Sequence, residues 1–337
     1  MATDVPANSV RMDSVELVRG LAALAVCLFH FTKYVWPDES IVRQVCSYGW
    51  TGVESFFVIS GFIIPFAMAR ANYRYSCFIR FLTKRYVRLA PPYVCAILLA
   101  LVLWFLGSLV PGFRGEPFQF QGGRIAAHFF FANDLLYLPW LNPVFWTLAI
   151  EFQYYVAIGL LFPFLFTGSE FRNVVAVVVL TLCALPPSPQ ALVSHWVLIF
   201  LTGIVLAQWR LNRISLWSAV SIESVLLCII WQHHGIVILI ASALTLAVIV
   251  FTRKVPAWGF WLGKISYSLY LVHVPIGGRI VNLGNRYADG EIGRWCVFAA
   301  AMASSVLAAW LLWFTVERAS IAWSSRIKYF RAPVNKM

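Results

Sequence analysis

Continuous apolar runs of about 20 residues dominate this chain, and they constrain its fold more than any other feature. Inside a bilayer every backbone N–H and C=O group must be hydrogen-bonded within the protein, so runs of this length form helices. A membrane β-barrel would instead alternate apolar and polar residues. Charged residues make up only 12% of the chain, whereas soluble domains carry about 25%. The sequence therefore predicts an all-α, polytopic membrane protein.

Ten transmembrane helices in a single domain, residues 1–337, are predicted. The predicted spans are 17–35, 51–69, 89–110, 144–166, 172–186, 194–209, 215–232, 235–251, 257–276 and 293–315. Because the number is even, both termini lie on one side of the membrane. With the N-terminus inside, seventeen Lys and Arg residues fall on the cytoplasmic side and seven on the other. This asymmetry predicts that both termini are cytoplasmic.

The net charge of +12 suggests nucleic acid only in a soluble protein, and here it marks topology and contact with anionic membrane lipid. We therefore expect no nucleic-acid partner. The first cytoplasmic loop, Arg70 to Arg88, places aromatic residues between its basic residues, which predicts an amphipathic helix lying in the interface. Pro91 and Pro92 are then expected to open the third span.

The first span carries Arg19 at its start and His30 eleven residues later. At about 1.5 Å per residue, the two side chains are separated by roughly 16 Å along the helix axis. An ionisable residue inside a span is costly and is a candidate functional group. Glu151 lies about two turns into the fourth span, at a depth similar to that of His30. We predict that the carboxylate supports the imidazole as a base, although such a pair could also simply join two helices.

The ninth span places His273 near its outer end, with Tyr270 three residues before it. A structural histidine at a span end is the alternative interpretation. Glu54 starts the second span and is expected to be half buried.

On the cytoplasmic side, basic residues recur at helical spacing and share one side of a helix. The residues in this group are Arg80, Lys84, Arg85 and Arg88. Such a group suits a phosphate-rich ligand, because arginine pairs with phosphate through two hydrogen bonds. The alternative is ordinary positive-inside bias with lipid contact. A long cosubstrate such as coenzyme A could bind here by its phosphates and carry its thioester arm to the depth of His30.

Several blocks of the sequence, in this order, resemble the acyltransferase-3 family of integral membrane acyltransferases. The blocks are Arg19 with His30, GVESFFVISGFII from Gly52, FLTKRYVRLAPPY with Arg85 and Arg88, PVFWTLAIEFQYY with Glu151, and KISYSLYLVHVPI with His273. Together they extend from about Val15 to Val316, nearly the whole chain.

The resemblance implies transfer of an acyl group, usually acetyl from acetyl-CoA, to a hydroxyl of an extracytoplasmic glycan or glycolipid, in a bacterial inner membrane. It implies that His30 is the base or acyl carrier, that Glu151 and Arg19 assist it, and that Arg85 and Arg88 contact the phosphates of coenzyme A. We expect Lys84 to join this phosphate site and no metal to be needed. For the acceptor we expect contacts with His273, Tyr270, Trp146 and Asn133, although Asn133 could equally cap the outer loop.

The chain ends soon after the tenth span, so no C-terminal SGNH-type domain is expected and the membrane domain is expected to acylate the acceptor itself. Two other classes remain open from sequence. One is a proton-coupled transporter or flippase of a glycan or lipid, which a central His and Glu would suit. The other is an assembly subunit without catalysis.

Overall fold

The computed structural model describes residues 13–110 and 115–329, and the remainder of the predicted domain lies outside these residues. Regular structure in the described part of the chain is helical throughout. Its α-helices are α1 Asp13–Val35, α2 Ile41–Cys46, α3 Gly52–Arg70, α4 Phe78–Ser108, α5 Gly122–Phe129, α6 Trp146–Phe166, α7 Glu170–Ala184, α8 Val193–Arg210, α9 Leu216–His234, α10 Ile236–Phe251, α11 Ala257–His273, α12 Arg279–Gly284, α13 Gly290–Leu312 and α14 Arg318–Arg326.

Within the described residues, seven helical stretches are long and apolar enough to cross a membrane, which confirms a polytopic membrane protein. They contain α1, α3, α4, α6, α8, α9 and α13. Helix α10 is apolar but shorter. A helix coincides with each of the ten predicted spans, with ends that differ by a few residues except in the third, where α4 begins at Phe78 and not at residue 89.

The prediction that Pro91 and Pro92 open the third span is wrong, because α4 begins at Phe78 and continues through both prolines for 31 residues. A proline inside a helix removes one backbone donor, which in a membrane must be compensated by other groups. Pro92 has no N–H for the carbonyl of Arg88, and the Ser320 hydroxyl donates to that oxygen at 3.1 Å. The hydroxyl of Tyr267 likewise donates to the carbonyl oxygen of Leu89 at 3.0 Å. These side chains let α4 extend the basic residues into the bundle.

Helices α1 and α11 run parallel and pack closely through two glycines. A Cβ atom on Gly263 would lie 2.2 Å from the carbonyl oxygen of Glu16, and one on Gly20 would lie 2.9 Å from the nitrogen of Gly263. Ten residues further along both helices, the same register places His30 beside His273, with ring centroids 5.2 Å apart. The close glycine contact thus fixes which imidazoles meet.

Helices α3 and α8 run antiparallel and pack in the same way. A Cβ on Gly61 would lie 2.1 Å from the carbonyl oxygen of Phe200, and a Cβ on Gly203 would lie 2.1 Å from that of Val58. The small residues therefore allow backbone-to-backbone approach, as interfaces between membrane helices commonly do.

Candidate functional site

A cavity of about 570 Å³ lies at the end of the bundle where α1 begins and α3 ends. We call it the arginine cavity. Its charged and hydroxyl-bearing lining residues are Asp13, Glu16, Arg19, Ser60, Arg70, Arg85, Arg88, Thr147, Glu151, Tyr155, Tyr267, Tyr270 and Glu317. The structure therefore brings together three of the predicted arginines, Arg19, Arg85 and Arg88, with Glu151.

In the arginine cavity, Arg85 is the residue best placed to donate hydrogen bonds to an anion. Its guanidinium lies over the rings of Phe81 and Tyr155, at 5.5 Å and 5.7 Å from the centroids. Its Nε atom is buried and has no hydrogen-bond partner within the described residues. A buried hydrogen-bond donor without a partner destabilises a folded protein, so this N–H indicates a position at which a ligand accepts a hydrogen bond.

The arginine cavity as a whole is not uniformly positive. Four arginines line it, and so do four carboxyl side chains. Arg19 forms a 3.7 Å ion pair with Glu16, and Glu317 interacts electrostatically with both Arg19 and Arg88. A phosphate-bearing ligand would therefore bind to the local group of Arg85 and Arg88 rather than to a general positive field.

Glu151 belongs to the arginine cavity and not to the surroundings of His30. Its Oε1 atom accepts hydrogen bonds from the Tyr155 hydroxyl at 2.6 Å and from the Ser60 hydroxyl at 3.1 Å. The predicted pairing of Glu151 with His30 is not confirmed, because the two residues line different cavities. Tyr155 was missed from sequence, although its spacing of one helical turn after Glu151 indicates a shared face.

His30 lines a second cavity of about 500 Å³, which we call the histidine cavity. Its lining residues include Phe29, Trp50, Glu54, Asp134, Trp140, Trp146 and Trp196. The imidazole is half buried and contacts the rings of Phe29 and His273, at centroid distances of 5.1 Å and 5.2 Å. Trp146, for which a contact with the acceptor stays a prediction, lines this cavity with its ring 5.5 Å from that of Trp196.

Two carboxyl groups, those of Glu54 and Asp134, share the histidine cavity with His30, and Glu54 is the buried one. The expectation that it is half buried is wrong, because it is only 2% exposed. Its Oε2 atom has no hydrogen-bond partner in the described part of the chain. Sequence position at the start of α3 suggested exposure, but the close approach of α3 to α1 covers it.

His273 lies behind His30 and is fully buried. Its Nδ1 atom is 2.8 Å from the carbonyl oxygen of Tyr270 and 3.1 Å from that of Leu269. Because both carbonyls can only accept, Nδ1 carries the proton, and Nε2 is an acceptor. No described group bonds to Nε2. The helix then widens into a π-helical segment, Val274–Gly278.

Val53 and Tyr270 line both cavities and form the wall between them. The Tyr270 hydroxyl is fixed by the Thr147 hydroxyl at 2.8 Å and by the carbonyl oxygen of Val144 at 3.2 Å. The wall is therefore one buried ring and one small aliphatic side chain thick.

Two predicted site residues lie elsewhere. Lys84 is not among the residues that line the arginine cavity, and its ammonium lies 5.5 Å from the ring centroid of Tyr329. Asn133 is buried in the outer loop, where its amide donates to the carbonyl oxygen of Pro139 at 3.4 Å and meets His128 at 3.2 Å. The structure thus gives Asn133 a loop contact, whereas its neighbour Asp134 lines the histidine cavity.

The sequence comparisons can be set beside this geometry. A family model, acyltransferase 3, described as an acyltransferase domain, matches residues 12–314. The O-acetyltransferase OatA proteins of Staphylococcus aureus strains NCTC 8325 / PS 47, COL and MRSA252 are each 24% identical to the chain over 354 aligned residues. These alignments cover 88% of this chain and 55% of the relative, so the chain spans about half the length of these relatives. No solved structure matches the chain.

Proposed function

The chain belongs to the acyltransferase-3 family, and from this premise we propose that it transfers an acetyl group from acetyl-CoA to a hydroxyl of an extracytoplasmic glycan. The family match agrees with the acyltransferase domain expected from the sequence blocks. The relatives named O-acetyltransferases support oxygen as the acceptor atom. The observation that carries the proposal is that two cavities, one rich in arginine and one holding His30, meet at Val53 and Tyr270.

The proposal includes the topology of ten spans with both termini in the cytoplasm of a bacterium and the chain in its inner membrane. The arginine cavity then faces the cytoplasm, where acyl-CoA is made. The histidine cavity lies toward the outer face, where the acceptor is met. This orientation is supported by the excess of Lys and Arg residues at the end of the bundle where α1 begins.

In the arginine cavity, Arg85 and Arg88 hold the phosphates of coenzyme A, and Arg19 assists them. The unpartnered Nε of Arg85 supports this role, since a phosphate oxygen would complete it. Glu151 fixes the hydroxyls of Tyr155 and Ser60 beside the bound donor. The thioester arm extends toward Tyr270 and Val53, where the cavities adjoin.

In the histidine cavity, His30 removes the proton of the acceptor hydroxyl. The hydroxyl oxygen then attacks the thioester carbonyl, the new C–O bond forms, the C–S bond breaks, and the proton passes from His30 to the departing thiolate. The Glu54 carboxyl group hydrogen-bonds the glycan, and His273, whose ring contacts that of His30, positions the His30 imidazole. A neutral His30 in the resting enzyme suits this work as a base.

The proposal is tested with purified protein in nanodiscs, labelled acetyl-CoA and a mixture of cell-envelope glycans. Label in the glycan with the wild type, and its loss in His30→Gln with acetyl-CoA binding retained, is the expected result. Equal label with His30→Gln would refute the role of His30. Binding of glycan without any label in it, together with its movement across proteoliposomes, would instead support a transporter.

A further inference from the structure

A third cavity, of about 1220 Å³, lies at the end of the bundle where α1 ends. We call it the loop cavity, because residues 115–143 form one side and α12 with its flanking turns forms the other. Arg124, Arg279 and Arg286 line it together with the aromatic rings of Tyr34 and Trp104. The volume exceeds the ~300–1,000 Å³ of a typical small-molecule pocket, so it has room for more than one sugar ring.

The charges of the loop cavity are unusual for the predicted outer face, which carries few basic residues. Elsewhere on this face arginines are paired: Arg43 forms an ion pair with Asp38, and Arg294 forms one with Glu291 at 3.4 Å. Arg124, inside the cavity, uses its Nε and Nη2 on backbone carbonyls at 2.8 Å and 3.0 Å. These arginines therefore have internal partners.

Arg279 and Arg286 differ from these arginines. Both are exposed, both line the loop cavity, and in the described parts of the chain neither forms an ion pair or hydrogen bond through its side chain. Glu116 also lines the cavity, near Arg124, so three arginines and one carboxylate give an excess of two positive charges. Two uncommitted guanidinium groups in one concave site are suited to a carboxylate or phosphate.

The loop cavity adjoins the histidine cavity. Pro143 lines both of them, and Val274 and Pro275, which directly follow His273, line the loop cavity. A saccharide held in the loop cavity therefore lies next to the space that His30 faces. The three cavities form a series across the bundle, with Val53 and Tyr270 at the first junction and Pro143 at the second.

We infer that the loop cavity binds the acceptor and selects an acidic saccharide, whose carboxylate or phosphate is held by Arg279 and Arg286. The ring of Tyr34, which is 58% exposed, offers an apolar face for the sugar. This inference rests on the proposed function and adds the chemical class of its acceptor.

Binding without donor tests the inference separately from transfer. The probes are a hyaluronan tetrasaccharide and its carboxyl-reduced, neutral counterpart, titrated against the full chain in nanodiscs of phosphatidylcholine. We expect the acidic form to bind about tenfold more tightly, as one or two charge-assisted hydrogen bonds allow. The ratio should fall close to one in Arg279→Gln/Arg286→Gln and be partly kept in Arg279→Lys/Arg286→Lys.

Arg294→Gln is the matched control, because it removes an arginine from the same face that is already paired with Glu291. It should leave the tenfold preference unchanged. Equal binding of both probes by the wild type, or a preference that survives the double glutamine variant, would overturn the inference. Transfer to a neutral glycan could then still occur, so the proposed function would stand.

A second arm adds phosphatidylglycerol to the nanodiscs. An unchanged preference for the acidic tetrasaccharide would support a saccharide site. Loss of the preference would show that lipid phosphate occupies the two arginines and would overturn the assignment to the acceptor. Conversely, selective binding with no acetyl transfer under any condition would count against the proposed function and not against the site.

Discussion

The arginine cavity and the histidine cavity adjoin, yet different buried groups face them. In the arginine cavity a buried donor, Arg85 Nε, has no hydrogen-bond partner among the described residues. Around the histidine cavity the unpartnered buried atoms are a carboxyl oxygen of Glu54 and Nε2 of His273, which is an acceptor. A donor suits an anion such as phosphate, whereas acceptors suit a hydroxyl that gives up its proton. Under the proposed function, this difference assigns donor binding to one compartment and proton transfer to the other.

The largest effect is expected from His30→Gln, which removes the base but keeps a side chain of similar reach. General-base catalysis contributes about 100- to 10,000-fold, so kcat should fall within that range while acetyl-CoA binding is retained. The measurement is labelled acetyl transfer together with donor binding by calorimetry. His233→Gln, at an exposed position at the end of α9, is the control and should behave like the wild type. If the His30→Gln variant keeps its kcat, the assignment of proton transfer to the histidine cavity is wrong.

Two isosteric carboxyl variants sharpen the comparison directly. Glu54→Gln should lower kcat about tenfold with little change in the KM for acetyl-CoA, because it replaces a carboxyl group that hydrogen-bonds the glycan, and a hydrogen bond is worth about 0.5–1.5 kcal/mol. Glu151→Gln should mainly raise that KM, because Glu151 holds Tyr155 and Ser60 in the arginine cavity. The reverse pattern would restore the original prediction that Glu151 supports His30.

Arg85→Gln should raise the KM for acetyl-CoA about tenfold and leave kcat nearly unchanged. The reason is that a phosphate contact stabilises the bound donor equally in the ground state and in the transition state. Steady-state kinetics at varied acetyl-CoA give both constants. Arg326→Gln removes an exposed arginine at the end of α14 and serves as a charge-matched control.

Lys84→Gln, in the same helix, separates two views of the phosphate site. A raised KM would support the sequence-based prediction that Lys84 contacts the donor. An unchanged KM would agree with its position beside Tyr329 and outside the lining of the arginine cavity.

The smallest effect concerns the wall between the cavities. Tyr270→Phe keeps the ring but removes the hydroxyl that bonds Thr147 and Val144, and a neutral hydrogen bond is worth about 0.5–1.5 kcal/mol. Activity should fall only about two- to tenfold. Tyr270→Ala should in addition let water reach the thioester, measured as acetyl-CoA hydrolysis without acceptor. Hydrolysis at the wild-type rate in Tyr270→Ala would mean that this ring does not separate the compartments.

The positions of the helices could be predicted well from sequence, because the bilayer requires about 20 apolar residues for each crossing and full backbone hydrogen bonding. The start of α4 could not. Prolines 91 and 92 indicated a helix boundary, but Ser320 and Tyr267, from helices distant in the chain, satisfy carbonyl groups near them. A helix end in a membrane thus depends on neighbours that local sequence does not reveal.

Depth was also readable, since the rise of 1.5 Å per residue converts sequence distance into distance along the axis. The direction in which each side chain points around its helix axis could not be predicted from the sequence. Sequence distance placed Glu151 at a depth similar to that of His30, but α6 turns it toward Ser60 of α3 and toward the arginines. The same limit concealed the burial of Glu54, which depends on how closely α3 approaches α1.

The sequence by itself determined that the chain is a helical membrane protein, that His30 lies inside a span, and that basic residues gather at one end. These properties follow from hydrophobicity and spacing along one chain. The tertiary structure decided that His30 contacts His273 and shares a cavity with Glu54, that Glu151 lines the arginine cavity, and that Tyr270 lies between the two cavities. Those contacts depend on the lateral register of packed helices, set by close glycine contacts such as Gly20 with Gly263.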